Sequence, residues 1–240
     1  MITILHITDL HIPDTNESAY DIDVQQNLLN TIQAMSDEMY DMVLVTGDIA
    51  YKQANFRSYE YVKQAFQTFY KPLYVLAGNH DTTDMLAQFF PNSFPNKQTN
   101  YRIPYPEITL LCMDSSASVI TDSQVEWLRA ELSQSKQVVL FVHHPILPTP
   151  VTYMESKYSL RRRESVLQVL EQHPYPIHIF CGHFHTDDVV THKHITQYIT
   201  PSILYQVNKH STTFDIGSKA YGYRKICIDS QYVDTEVVWL

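Results

Sequence analysis

ITILHITDLH, residues 2–11, is the stretch on which the fold turns. Ile2 to Ile7 form a short, largely apolar run that reads as a strand covered on both faces, and Asp9 and His11 stand just beyond its end. The same arrangement recurs as MVLVTGD (42–48), LYVLAGNHD (73–81), QVVLFVHHP (137–145) and IHIFCGHFH (177–185). Each is an apolar run ending on an oxygen or imidazole donor. In sheets with parallel strands, sites form beyond the carboxyl ends of the strands, so these five segments can converge on one crevice.

The segments between them read as helices. Val24, Leu28, Ile32, Met35 and Met39 recur at three- and four-residue spacing, as do Tyr59, Val62, Phe66 and Phe69. Thr121-x-x-Gln124 is a capping-box pattern that opens a helix carrying Val125, Leu128 and Leu132. A further helix is expected from about Arg163 to His173, stopped by Pro174. A strand is expected at Ile108 to Met113, and residues 91–106, rich in Pro and Asn, read as one long surface loop. After His185, short alternating runs at 189–190, 197–200, 203–207, 223–228 and 237–240 suggest antiparallel strands without long helices. The expectation is one layered α/β domain over residues 1–240.

Composition narrows the function. The net charge of −9 argues against a nucleic-acid polymer as partner, because phosphate backbones are bound by clustered Lys and Arg. An acidic chain acting on phosphate needs local positive charge, which bound metal ions supply. No apolar run is long enough to span a bilayer, and the first residues carry neither a basic flank nor a cleavage site, so a cytoplasmic location is expected. Cys112, Cys181 and Cys227 sit singly in apolar runs, as reduced thiols do.

The donor types at the strand ends also narrow the chemistry. Carboxylate, amide oxygen and imidazole together suit divalent Mn, Fe, Zn or Co, and the lack of Cys ligands argues against a structural zinc. Asp-x-His and His-x-His, if extended, direct alternate side chains to one face. Gly47, Gly78 and Gly182 each precede a candidate ligand and permit tight turns there.

DLH, GD, GNHD, HHP and GHFH, in this order over residues 9–185, resemble the calcineurin-like metallophosphoesterase superfamily. ITDLH, VTGDIA, LAGNHD, LLCMDSS, HHPILP, YSLRRRESVLQVL, FCGHFH and TPSILYQV extend the likeness, to about residue 207, toward bacterial class III cyclic nucleotide phosphodiesterases. The resemblance implies a four-layer α-β-β-α sandwich of two mixed sheets flanked by helices. It implies two divalent or mixed-valence ions, the first held by Asp9, His11, Asp48 and His185, the second by the bridging Asp48 with Asn79, His143 and His183. The implied reaction is hydrolysis of a small 3′,5′-cyclic nucleotide, foremost cyclic AMP, to the 5′-monophosphate by a metal-bridging hydroxide, with His80 as general acid. The relatives are often homodimers.

Several residues carry two readings. Asp81 either orients His80 or caps the following helix; some superfamily members supply the orienting carboxylate at the end of Gly-Asp-x-x-Asp, where this chain has Tyr51. His144 either binds substrate beside the site or only packs. Arg161 and Arg162, with Arg163, could contact substrate phosphate or form a solvated helix start; the family often has Asn where Arg162 stands. His192 and His194 read as a solvated edge strand, and His6 as a core or supporting residue. Tyr153, Tyr158 and Tyr205 lie in segments that could line a nucleobase pocket, but tyrosines mostly pack half-buried, so none is singled out. The competing functions are a broader phosphodiesterase acting on glycerophosphodiesters or 2′,3′-cyclic nucleotides, and a non-catalytic scaffold of the same fold. Such a scaffold would ordinarily have lost a ligand, and none is missing here.

Overall fold

β1 (Ile2–Ile7), β2 (Met42–Thr46) and β3 (Leu73–Leu76) pair in parallel, and α1 (Val24–Ser36) and α2 (Phe56–Ala65) supply the crossovers that parallel pairing requires. The computed structural model describes residues 1–15, 17–106, 108–229 and 232–240. The chain continues through α3 (Thr83–Phe89), β4 (Tyr101–Ile103), β5 (Thr109–Met113), α4 (Asp122–Ser133) and β6 (Val138–Val142). α5 (Thr152–Tyr158) and α6 (Arg163–Gln172) lead into β7 (Ile177–Cys181). The last part holds β8 (Asp188–His192), β9 (Ile195–Ile199), β10 (Gln206–Val207), β11 (Ile216–Ser218), β12 (Gly222–Ile228) and β13 (Val233–Trp239).

Two mixed sheets result, ordered β13-β12-β1-β2-β3 and β4-β5-β6-β7-β9-β8, with β10 and β11 forming a separate ribbon. Strand periodicity decides how they stack. Ile2, Ile4 and Leu44 pack with Leu110, Cys112, Val139, Phe141 and Phe180 between the sheets. The alternate residues Leu5, Ile7, Val43 and Val45 belong to the core that also takes in Leu28 and Ile32 of α1 and Val62 of α2. The order is helix, sheet, sheet, helix, as expected. His6 lies on the inter-sheet face, edge-on to Phe141, with Nε2 2.8 Å from Thr46 Oγ1 and Nδ1 2.8 Å from Thr200 Oγ1. Cys112 and Cys181 are buried free thiols.

The capping box forms at Thr121 and Gln124, and α6 ends at Gln172 before Pro174. Other details differ from the sequence reading. Residues 91–106 contain β4, a three-residue strand paired antiparallel with β5, besides short turns. The region after His185 is not wholly antiparallel, since β9 joins β7 in parallel. α1 stops at Ser36, so Met39 lies beyond it and is exposed. Among the described residues, no helix is long and apolar enough to cross a membrane.

Candidate metal centre

The loops after β1, β2, β3, β6 and β7 meet at one end of the two sheets. Reaching that meeting point costs backbone strain. Asp9 (φ 53°), His11 (45°), Asp48 (48°), His183 (65°) and His185 (48°) all take left-handed conformations that non-glycine residues rarely adopt. At about 1–2 kcal/mol each, the sum rivals the net stability of a domain. Such strain persists only where surroundings over-determine it, and it clusters at functional sites. Here the Asp9 amide donates to Gly47 O at 3.0 Å and the His11 amide to Asp48 O at 2.8 Å, fixing the first loop on the second.

Two glycines make the approach feasible. A Cβ on Gly78 would stand 2.2 Å from Asp48 Oδ1, and one on Gly182 would stand 2.4 Å from Asp9 Oδ2. In effect, each glycine leaves the space its neighbouring carboxylate occupies.

The donor atoms are close together. His11 Nε2 lies 2.9 Å from His185 Nε2, and Asp9 Oδ1 is 3.5 Å from His185 Nε2 and 4.0 Å from His143 Nε2. Asp48 Oδ2 lies 3.4 Å from His143 Nε2 and 3.8 Å from both His11 Nε2 and His80 Nε2. Asn79 Oδ1 is 3.3 Å from His143 Nε2. His183 joins through its ring, centred 5.0 Å from that of His143, and through its amide, which donates to Asp9 Oδ2 at 2.9 Å.

These separations fit bound cations. Two donors about 2.1 Å from one ion stand roughly 3.0 Å apart at an octahedral angle and roughly 3.4 Å apart at a tetrahedral one. Asp9 Oδ1 is buried without a hydrogen-bond partner among the described residues, an expensive state for a carboxylate oxygen unless a cation faces it. Burial, then His185, push His11 down to about 3; burial, then His143, push His183 down to about 4. Both rings are therefore neutral and keep lone pairs to offer. Burial opposes ionisation of Asp9 and Asp48, but the imidazoles around them, His185 at Asp9 and His143 at Asp48, outweigh it and hold both carboxyls below their ordinary range. His143 goes the other way: burial would lower it, yet Asp48 and then Asp9 raise it to about 9, so without a cation the ring keeps a second proton, which a bound ion would displace to take up the lone pair.

Backbone carbonyls hold the far side of the rings. His143 Nδ1 lies 2.7 Å from Thr46 O, His11 Nδ1 3.3 Å from Tyr51 O, and His183 Nε2 3.0 Å from Tyr158 O. Sequence reading missed these three carbonyls, because a carbonyl leaves no signature in residue type.

The remaining candidates fall differently. Asp81 neither touches His80 nor caps α3. Its Oδ2 accepts from the Gly78 amide at 3.0 Å and the Ile49 amide at 3.1 Å, and its Oδ1 from the Ala50 amide at 3.2 Å and the Tyr59 hydroxyl at 3.0 Å. Burial, then Asp48, raise it to about 6. His80 is part-exposed, with Nδ1 buried and lacking a hydrogen-bond partner among the described residues. The Asp81 oxygens are spent on other groups, and the ring of His80 stands instead 5.1 Å from that of His11.

His144 is wholly buried, with Nδ1 2.8 Å from Ser115 Oγ and its ring centred 4.1 Å from that of His183, so it packs behind the site, with a ring nitrogen near those of His143 and His183. Arg161 and Arg162 are not among the described residues that line the cavity over the cluster. Arg162 is left-handed at the start of α6 and pairs with Asp122, Arg163 pairs with Glu155, and Arg161 Nε donates to Ser118 O at 3.3 Å. Carboxylates thus pair with Arg162 and Arg163, whereas Arg161 meets a carbonyl. His192, as expected of an edge strand, meets Glu171 at 2.5 Å.

A cavity of about 610 Å³ opens over the cluster, with His11, Asp48, Asn79, His80, His183 and His185 at its floor. Tyr20, Tyr51, Tyr153, Tyr158, Tyr205 and Phe214 stand around it.

Paired carboxylates and convergent imidazoles at the strand ends of a four-layer sandwich define a metal-dependent phosphoesterase. The chain belongs to the calcineurin-like phosphoesterase family, whose sequence profile matches residues 2–187. It is 27% identical over 234 residues (96% of this chain, 91% of the relative) to a Fibrobacter succinogenes protein named "Probable cyclic nucleotide phosphodiesterase". It is 24% identical over 241 residues (94% and 84%) to the 3′,5′-cyclic adenosine monophosphate phosphodiesterase CpdA of Escherichia coli K12. To the glycerophosphodiester phosphodiesterase GpdQ of Enterobacter lignolyticus it is 28% identical over 217 residues (84% and 77%). In fold it is similar to a crystallised dimetal phosphatase from Danio rerio, with a TM-score of 0.71 at 16% identity, covering 99% of this chain and 98% of that one.

Proposed function

We propose that this protein hydrolyses 3′,5′-cyclic nucleotides, cyclic AMP foremost, to the 5′-monophosphate, with residues 1–240 acting as one catalytic domain. The observation that carries the reading is the cavity whose floor is the Asp48 cluster and whose size suits a nucleotide-sized ligand. The names of the Fibrobacter and Escherichia relatives support it. Antiparallel pairing of β12 with β1 supports the single domain, since it ties the last strands to the first.

In this reading Asp9, His11, Asp48 and His185 hold one ion, and Asp48, Asn79, His143 and His183 hold the other. The donor set suits Fe, Mn, Zn or Co. When bound, the ions supply Lewis acidity toward phosphoryl oxygens and a water nucleophile at neutral pH. The carbonyls of Thr46, Tyr51 and Tyr158 fix the tautomers of His143, His11 and His183, so their lone pairs face inward. Water adds to phosphorus and gives up a proton to solvent, the P–O3′ bond breaks, and His80, at the rim of the cluster, delivers a proton to O3′ and regains one from solvent. Asp81 acts through others: it joins the loop carrying Asp48 to the loop carrying Asn79 and His80.

A second reading, a phosphodiesterase of broader range, is favoured by the GpdQ relative. The test is turnover by the metal-loaded protein of cyclic AMP beside glycerophosphodiesters and 2′,3′-cyclic AMP, with Asp48→Ala as control. Absence of cyclic AMP turnover above that control would sink the first reading; higher kcat/KM on a glycerophosphodiester would establish the second.

A further inference from the structure

The aromatic side chains above the cluster are connected. From His185 the ring contacts run to Tyr205 (centroids 4.9 Å apart), on to Phe214 (5.9 Å), to Tyr153 (6.2 Å), to Tyr158 (5.9 Å) and back to His183 (6.4 Å). The circuit begins and ends on the two histidines of one Gly-His-Phe-His turn. Tyr20 braces it, 5.1 Å from Tyr205 and 5.7 Å from Phe214. These rings come from four separate segments of chain, yet Tyr20, Tyr158 and Phe214 remain 43%, 49% and 41% exposed around one cavity. A contiguous exposed aromatic surface beside a reactive cluster is a ligand surface in a way that scattered apolar residues are not.

The wall's chemistry is one-sided. Among the described residues lining the cavity, the carboxylate and amide side chains, Asp48 and Asn79, lie at the floor, and the charged side chain above them is Lys52. A flat, neutral ring system can stack on such a surface, and the polar groups of the wall are mostly phenol hydroxyls, each able to donate or accept, which can meet the edge of either purine. A quaternary ammonium group would also suit an aromatic cage, but it would meet the like charge of Lys52 and no carboxylate on the wall.

We propose that this circuit is a nucleobase subsite that grips the face of the base and discriminates bases from their absence more than one purine from another. The proposal rests on the cyclic nucleotide reading for its substrate class, but a binding measurement tests it without turnover.

Calorimetric titration of the metal-loaded protein compares AMP, GMP and ribose 5-phosphate, which lacks the base. Stacking typically gives about tenfold or more per base, so AMP is expected to bind at least roughly tenfold tighter than ribose 5-phosphate, with GMP within a few-fold of AMP. Phe214→Leu, which keeps apolar bulk and removes the ring, should erase most of the AMP advantage, and Phe214→Trp should keep it. Equal affinity for AMP and ribose 5-phosphate, an unchanged advantage in Phe214→Leu, or a hundredfold preference between AMP and GMP would each overturn the subsite. Tighter binding of glycerophosphocholine than of AMP would do the same. Cyclic AMP turnover, measured separately, decides the parent reading: a protein that stacks AMP but cleaves no cyclic nucleotide loses the reaction and keeps the subsite.

Discussion

Asp81 Oδ2 accepts the Ile49 amide at 3.1 Å, and this bond joins the loop that carries His80 to the loop that carries Asp48. Together with its bonds to Gly78, Ala50 and Tyr59, it makes Asp81 a positioning residue. Asp81→Ala leaves buried amides without an acceptor, at about 1–3 kcal/mol each, and is expected to lower the urea midpoint and kcat together. Asp81→Asn keeps one acceptor oxygen and should recover part of both. Equal kcat in wild type and Asp81→Ala would remove the role.

His80 stands outside the proposed ligand set, 3.8 Å from Asp48 and part-exposed to the cavity. His80→Ala is expected to cut kcat by about 10²- to 10⁴-fold, the usual worth of a general acid, with the metal content of the protein unchanged. If metal content falls in step with kcat, His80 is a ligand.

Gly182 lies where a Cβ would come within 2.1 Å of Thr8 Oγ1 and 2.4 Å of Asp9 Oδ2. Gly182→Ala must therefore push the Asp9 carboxylate aside, and overpacking of this kind costs about 1–3 kcal/mol. Elemental analysis of the variant should show metal loss with far-UV circular dichroism retained. Full metal occupancy would show that Asp9 has room to move.

The strand ends were legible in the sequence because short apolar runs and their glycines mark where a buried strand stops, and the donors follow at once. Asp9, His11, Asp48, Asn79, His143, His183 and His185 come together on that basis. The roles of Asp81 and His144 were not legible, since each depends on the direction of one side chain among neighbours far apart in sequence. Asp81 turns to amides around residue 49, and His144 turns to Ser115. β4 escaped notice because three residues carry too little periodicity, and its pairing with β5 is what makes it a strand. The aromatic circuit draws on residues 153 to 214, with Tyr20 added from the first loop, and nothing local in the sequence announces such a meeting.

His6 gives a pH dependence separate from the cluster. Burial, then Arg224, push it down to about 3, between the sheets and against Thr46 and Thr200. The unfolded chain takes up a proton near pH 6.5 that the folded chain refuses until about pH 3. Stability therefore rises with pH across that window, with a contribution from His6 of about 1.4 kcal/mol per pH unit. Urea midpoints between pH 6.5 and 4.5 should fall as pH falls, and replacing His6 by Gln should flatten the slope by about that amount. An unchanged slope would mean that His6 titrates normally when folded.

Whether Asp48 joins two ions in one centre is read from the number of transition-metal ions bound per chain, wild type against Asp48→Ala. Two are expected in the wild type and at most one in Asp48→Ala, with the fold retained by circular dichroism. One ion or none in the fully loaded wild type, or two in Asp48→Ala, would contradict the bridging role.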